Sequence, residues 1–418
     1  MKGGACLSRA CLGALAAGFW VAGALADLAV VGGRVYTMES PEPMREATVL
    51  IKDGRIEAVG TDLEAPFEYR QIDAAGRIVT PGLIESYSQL GIIEIWQERT
   101  TVDSRVEEYA VGPSLDVSLA INPASTLIAV NRMGGVTRAV VAPQPGADPL
   151  AGLGATIRLG LDNVLVASRV ALFGDAGPVA ADFTGGSRAV LLQRLDRAFE
   201  EAARFSPNRY RAEGNDYSRQ DMAALKGFLR SGKPLALHVN RAADILRCIE
   251  LAENHGLRLI VLGGAEAWKV REALAVAAAT VVLSATGNLP AGFDSLGARL
   301  DNAALLRAAG VAVLYTGSET HNSRNLRQLA GNAVANGVPW YDALESLTSK
   351  AALTWDMPDA GVLRPGAAGD VVVWSGDPLE VTSWAEHIII GGELMPMQSR
   401  QTRLFERYRN LDSPHGYR

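Results

Sequence analysis

The chain is poor in cysteine, histidine, aromatic rings and basic blocks, and each shortage excludes something. It has three cysteines in 418 residues, and Cys6 and Cys11 fall within the first 26. If that segment is removed, Cys248 stands alone, which permits neither an internal disulfide nor a thiolate metal cluster. Aromatic residues make up 6% of the chain, with Trp96, Trp268, Trp340, Trp355, Trp374 and Trp384 far apart. They read as core and interface residues, not as a platform on which bases stack. Lys and Arg number 40 against 46 Asp and Glu, a net charge of −6 with no basic run. That balance argues against nucleic acid or an anionic membrane surface as a partner. Low-complexity tracts are missing as well, so disordered and fibrous classes drop out. Beyond the first 26 residues no apolar run approaches the ~20 residues that cross a bilayer.

What is present begins with an address. Lys2 and Arg9 precede an apolar run from Leu12 to Leu25, which closes on Ala24-Leu25-Ala26 before Asp27. A positive start, a short apolar stretch and a small-x-small site are the three parts of a secretory signal. We expect residues 1–26 to be cleaved after Ala26 and the mature protein to be exported, in a periplasm or an equivalent compartment. A retained membrane anchor is the alternative, but the run is short for a span. No membrane contact is expected after removal.

Residues 28–80 read as short strands broken by turns. Leu28–Val31 and Arg34–Thr37 flank Gly32-Gly33, Val49–Lys52 and Arg55–Val59 flank Asp53-Gly54, and Ile72-Asp73 and Arg77–Val79 flank Gly76. Gly-Gly and Asp-Gly between alternating segments are hairpin signals. Asp370–Trp374 and His387–Ile390, ahead of Gly391-Gly392, have the same character. One small β domain assembled from both chain ends, 27–80 with 356–400, is the economical reading, followed by a tail over 401–418.

Between them strand and helix alternate. Pro234–Val239, Leu257–Leu262, Val281–Ser284 and Val311–Tyr315 are apolar strands. Ala242–His255, Glu266–Ala279, Asn302–Ala309, Arg324–Ala335 and Tyr341–Thr354 have helical periodicity. Cys248 falls in the first of these helices, where it should face the core. Alternation of this kind signals a parallel sheet covered by helices, and residues 81–355 have the length of one (β/α)8 barrel. A doubly wound sheet is the alternative, but the first strand–helix turn has no GxGxxG loop. Residues 145–220 are the least legible. Gly146–Gly160 reads as a Gly-rich loop, Asn163–Phe173 as a strand pair and Ala189–Phe205 as an amphipathic helix.

The segment Ile78-Val79-Thr80-Pro81-Gly82-Leu83-Ile84-Glu85 resembles the first barrel strand of the amidohydrolase superfamily. Asp53–Gly60 before it and Leu363–Glu380 far behind it are similar to the composite β-sandwich of imidazolonepropionase-like members. The resemblance implies an α/β fold, a TIM-like (β/α)8 barrel with a composite β-sandwich. It also implies hydrolysis of C–N bonds by water activated on one or two divalent metals, usually zinc. Family members often form dimers, so a homodimer is an implied expectation.

The implied ligands then have to be sought one at a time. The family's first strand ends in Asp-x-His-x-His, which sets two imidazoles on one side of a strand. Here the stretch is Glu85-Ser86-Tyr87-Ser88-Gln89. A phenol is protonated at neutral pH and an amide is a poor zinc ligand. The fifth strand keeps His238, whereas Gly263 and Gly317 stand where the sixth and eighth strands of the family carry His and Asp. No lysine can be assigned to the bridging position of the fourth strand. Independently of any alignment, only His238 and His321 fall at C-terminal strand ends, the face where barrel sites form. The family's metal site is thus expected to be degenerate.

What remains is His238-Val239-Asn240-Arg241 and Glu319-Thr320-His321-Asn322. His238, Asn240, Arg241 and His321 are the expected ligand-contacting groups, with His238 and His321 as weak candidates for a single divalent metal. No tightly bound cofactor is expected. Each group has a plainer reading: His238 bonded to its neighbours, Asn322 capping a helix that begins near Ser323. Glu85 is expected to bond backbone or an Arg, and Glu266 to lie in the first turn of its helix. Ser86 and Ser88 lie in no nucleophile elbow. Two functions stay open: a divergent C–N hydrolase acting on dipeptides or non-peptide amides, and an exported non-catalytic protein that binds a small molecule or partner through the former mouth.

Overall fold

The computed structural model describes residues 26–107, 112–212, 216–287, 289–290, 292–317 and 320–409. Residues 1–25 of the expected signal and Glu319 lie outside them. Two eight-stranded sheets organise the chain. The N-terminal strands are β1 (Leu28–Val35), β2 (Met44–Lys52), β3 (Arg55–Gly60), β4 (Arg70–Asp73) and β5 (Ile78–Pro81). The barrel sheet follows as β6 (Leu83–Ser88), β7 (Val136–Val141), β8 (Leu150–Arg158), β9 (Leu165–Asp175), β10 (Leu235–Val239), β11 (Leu259–Gly263), β12 (Thr280–Leu283) and β13 (Ala312–Tyr315). The C-terminal end returns β14 (Val371–Trp374), β15 (Ala385–Ile390) and β16 (Glu393–Leu394).

The strands from the two chain ends share one sheet, in the order β16-β15-β14-β5-β1-β2-β3, with β4 also on β1. The Asp53-Gly54 hairpin forms as expected, both residues taking the positive φ that such a turn needs. Gly32-Gly33 does something else. It does not turn the chain; it bends β1, with Gly32 at φ +76°. Before the bend Leu28–Val31 pairs with β4, and after it Arg34 and Val35 pair with β5. A β-carbon at Gly33 would lie 2.6 Å from Val79 Cγ2. The bend therefore lets one strand serve both halves of a sheet folded around Val30, Val49, Ile51, Val79, Val371 and Ile389. Ile72-Asp73 and Arg77–Val79, either side of Gly76, do not pair with each other; both run parallel to β1.

The barrel strands follow chain order around the second sheet. Seven run parallel; β8 is antiparallel to both neighbours. The eight-parallel expectation fails there because the links 142–149 and 159–164 are too short for a helical crossover. The expected Gly-rich loop over Gly146–Gly160 is largely β8, and the expected strand pair over Asn163–Phe173 is the single strand β9. The glycines serve close approach: a β-carbon at Gly154 would meet Phe173 Cε2 at 2.3 Å.

Helices Arg188–Arg204, Arg219–Leu229 and Ala242–Asn254 cover the β9–β11 side, and Cys248 is buried on the last of them. The predicted helix over Glu266–Ala279 is shorter, a 3-10 turn Ala267–Val270 leading into Arg271–Val276. Tyr341–Thr354 splits into Trp340–Glu345 and Ser349–Thr354. The break between them frees the Leu347 carbonyl, which accepts the Ile84 N–H at the foot of β6. The tail opens with a further helix, Arg400–Tyr408.

Where β13 meets β6, side chains do much of the closing. Thr316 Oγ1 donates to the Tyr87 carbonyl at 2.8 Å, and Gly317 N–H donates to Glu85 Oε2 at 2.9 Å. Arg138 on β7 ties the barrel to the chain's return: its Nε is 2.7 Å from Asp370 Oδ2 and its Nη1 is 3.1 Å from Asp359 Oδ1.

Candidate active site at the barrel mouth

His238 is the penultimate residue of β10, and its register partner is Asp175, the last residue of β9. The adjacent parallel strands bring His238 Nδ1 within 3.3 Å of Asp175 Oδ2. The other carboxylate oxygen is held by the Gly177 N–H at 2.7 Å and the Ala180 N–H at 3.3 Å. Asp175 is buried, while the imidazole is about half exposed, 46%. The carboxylate thus sits beside Nδ1, while Nε2 lies toward Gly263, 3.1 Å from where a β-carbon there would stand. Asp175 was missed in the sequence, because nothing local marks an Asp that ends a strand.

Asn240 is brought to the same corner. A β-carbon on Gly263 would stand 2.7 Å from Asn240 Oδ1 and 3.1 Å from His238 Nε2, so the missing side chain opens the space between them. Asn240 also receives the Ala265 N–H and donates to Asp294 at 3.1 Å. Arg241 is committed elsewhere, its guanidinium closing on Asp244 with two contacts of 2.9 and 2.5 Å. That carboxylate holds the Arg241 charge firmly, pushing its pKa further up.

His321 lies at the β6–β13 side. It lines a cavity of about 550 Å³ with Gln89, Trp96, Gln144 and Thr320. The strand-to-helix loop beyond β13 is pinned by Asn131, whose Nδ2 donates to the Thr320 carbonyl at 2.8 Å and whose Oδ1 accepts the Arg324 N–H at 2.7 Å. Asn322 is the N-cap residue of a 3-10 turn, Ser323–Asn325, that leads into the helix.

Between these corners stands Tyr87, its ring 6.2 Å from that of Phe173. Burial, with the Asp175 charge, pushes its pKa up to about 12, against a smaller downward pull from Gln89. The phenol therefore stays protonated. Glu85 is fully buried, and burial pushes its pKa up to about 7 despite the N–H groups of Gly317 and Tyr87 and the hydroxyls of Thr316 and Ser323. The expectation that Glu85 bonds backbone holds. Its Oε2 also lies 3.2 Å from where a Gly317 side chain would begin. Glu266, expected in a first helical turn, precedes the 3-10 turn and knits three segments, through Lys269 Nζ, the Gly297 N–H and the Ala242 N–H.

This donor set does not fit a zinc centre. Tyr87 and Gln89 are neutral, Gly263 and Gly317 offer nothing, and Glu85 is consumed by the seam. Among the described residues no group of three or more His, Cys, Asp or Glu side chains is arranged to hold a metal. Catalytic zinc normally has three protein ligands.

No family model matches the sequence, and no curated protein is similar to it. Solved structures are. An amidohydrolase from Thermotoga maritima MSB8 superposes with a TM-score of 0.79 at 23% identity, covering 89% of this chain and 100% of that one. A prolidase complexed with N-methylphosphonate-L-proline has a TM-score of 0.56 at 16% identity, covering 89% and 100%. Molinate hydrolase has 0.55 at 19%, covering 89% and 95%. The fold is that of the amidohydrolases.

Proposed function

We propose that the protein is a hydrolase of C–N bonds in small amides, dipeptides or related non-peptide substrates, working without a tightly bound metal. The observation that carries this reading is the Asp175–His238 pair at the ends of adjacent parallel strands. A buried carboxylate 3.3 Å from Nδ1 of a half-exposed imidazole suits a general base: Asp175 would accept the Nδ1–H as Nε2 takes a proton from water. The water would attack the carbonyl carbon as that proton moves to Nε2, and the imidazolium would then return it to the leaving amine. His238, Asn240 and His321 are the proposed substrate contacts; Arg241, expected among them, is instead closed on Asp244. The amidohydrolase fold and its hydrolase-named relatives support the reaction class. The imidazolonepropionase-like subtype rests on the sequence resemblance.

Any metal would be a single divalent ion held weakly through His238 or His321. Export by the 1–26 segment and a homodimer complete the proposal. The second reading is an exported pseudoenzyme that binds a small molecule through the same mouth. It is favoured by the loss of side chains at Gly263 and Gly317 and by the engagement of Glu85 in the seam.

The test is a panel of dipeptides, N-acyl amino acids and cyclic imides, run with elemental analysis of the purified protein. Hydrolysis that survives chelation and falls at least a hundredfold in both His238→Ala and Asp175→Asn supports the proposal. Activity abolished by chelation and restored by zinc overturns its metal-free part. Activity indifferent to His238→Ala moves the site elsewhere, and saturable binding without turnover establishes the pseudoenzyme.

A further inference from the structure

The tail helix Arg400–Tyr408 stands apart from the other helices: none of its residues is buried. It is nonetheless firmly started, with Ser399 and Thr402 closing a reciprocal capping box. A helix that buries nothing owes its side-chain pattern to no core contact of its own chain. Leu404, Phe405 and Tyr408 are 41%, 65% and 51% exposed. The four-residue spacing sets Leu404 and Tyr408 one above the other, with Phe405 beside them. No described part of the chain covers this apolar edge.

The face next to that edge is basic. Arg400, Arg403 and Arg407 line a groove of about 410 Å³ whose opposite wall is Ser125, Thr126 and Ala129, at the start of helix Thr126–Arg132. No carboxylate lines the groove. Among the described residues Glu406 bonds Arg409, and the three groove arginines make no ion pair. Arg407 lies instead over the Tyr408 ring at 5.3 Å. Like charges three and four residues apart oppose helix formation, so three together call for an anion from outside the chain. In a protein of net charge −6 the cluster is an exception. The whole-chain balance behind the expectation of no membrane contact averages it away.

We infer that the tail helix docks the protein on an anionic phospholipid surface, its arginines reaching the phosphate headgroups while Leu404, Phe405 and Tyr408 enter the boundary with the acyl chains. A basic face beside an apolar edge on a helix of low overall hydrophobicity is the pattern of helices that lie in a membrane interface. A free phosphate compound would answer the arginines and leave the apolar edge without a partner. A two-fold contact with a second copy, centred on this helix, would set the same arginines against each other. The docking is independent of whether the protein turns over a substrate.

The probes are vesicles of phosphatidylglycerol mixed with phosphatidylcholine, against vesicles of phosphatidylcholine alone, read by co-sedimentation of the exported protein. Binding to the anionic vesicles only, falling as salt is added, is expected. Replacing Arg400, Arg403 and Arg407 together by Gln should lower the partition coefficient about a hundredfold, roughly fivefold for each arginine. Leu404→Ser with Phe405→Ser keeps every charge and should lower it roughly tenfold. Both variants should unfold at the wild-type temperature, because the helix adds nothing to the core. Binding that survives both variants, or equal binding to the neutral vesicles, overturns the docking surface. Saturable binding of inorganic diphosphate that the arginine variant loses and the Leu404/Phe405 variant keeps, without vesicle binding, overturns it in favour of a soluble phosphate ligand. A dimer that the Leu404/Phe405 variant dissociates, again without vesicle binding, makes this face a contact between copies instead.

Discussion

From β10 to β13 the barrel repeats one device: a short apolar strand, a covering helix, and a parallel ladder to the next strand. From β6 to β9 the same sheet is held by individual side chains. Glu85 bonds across the seam, Arg138 anchors β7 to the returning chain, and Gly154 lets β8 lie against Phe173. A repeated device spreads its stability over many backbone bonds and apolar contacts, none decisive. A side-chain device concentrates it in a few atoms. The first arc also carries His238 at its mouth, whereas the second carries Tyr87 and Gln89 there. In the second arc the polar groups near the mouth are drawn into structure.

If the comparison is right, single substitutions in the β6–β9 arc should cost more than equal-sized ones in the β10–β13 arc. The largest effect is expected from Arg138→Met. Both partners of its tightest contact are about 4% exposed, and Asp359 sits on the other side of the guanidinium. Removing one member leaves the Asp370 carboxylate buried without its cation, a loss of about 3–5 kcal/mol. Denaturant unfolding of the two proteins measures it. A difference below about 1 kcal/mol would mean that the backbone, not Arg138, holds the two sheets together.

The same contrast explains what was legible in the sequence. The four strands and most of the helices of the first arc announce themselves because apolar periodicity reports burial, and burial is what builds them. Gly32, Gly152 and Gly154 mislead because glycine signals a turn and a close approach in the same letter. That Tyr87, Gln89, Gly263 and Gly317 supply no strong metal donor was readable from the chemistry of those residues alone. The partnership of Asp175 with His238 was not, since 63 residues and three helices separate them and only the β9–β10 register makes them neighbours.

The second effect is pH-dependent. The Glu85 carboxyl has its folded pKa raised to about 7 from an ordinary 4.5. The folded state therefore binds more protons than the unfolded one between those values, and stability falls as pH rises through that window. The full difference is about 2.5 pK units, or roughly 3 kcal/mol. Glu85→Gln should remove this slope, so the gap between variant and wild type should move in the variant's favour from pH 4.5 to 7 by up to that amount. Asp148, raised to about 6 by burial against the pull of Arg194, leaves a similar slope between 3.8 and 6 in both proteins. Parallel curves for the two proteins across pH 4.5–7 would show that Glu85 is ionised without penalty and that the seam is wetter than the structure implies.

The smallest pair of effects compares the arcs most directly, using one methyl group on each. Gly154→Ala adds a carbon that would lie 2.3 Å from Phe173 Cε2 and 2.8 Å from the Val141 carbonyl oxygen. Phe173 is itself packed against Trp355 at 5.9 Å, nearly parallel, so the ring has little room to retreat. Overpacking of this kind costs about 1–3 kcal/mol. Ile260→Val on β11 removes one methyl from a residue that is 2% exposed in the same inner cluster as Phe173 and Trp355. That deletion should cost about 0.5–1.5 kcal/mol. Thermal unfolding of the two variants orders them, and Gly154→Ala should be the less stable. The reverse order would mean that β8 can slide outward on its hairpin to admit the extra methyl, which is the opposite of an arc fixed by particular side chains.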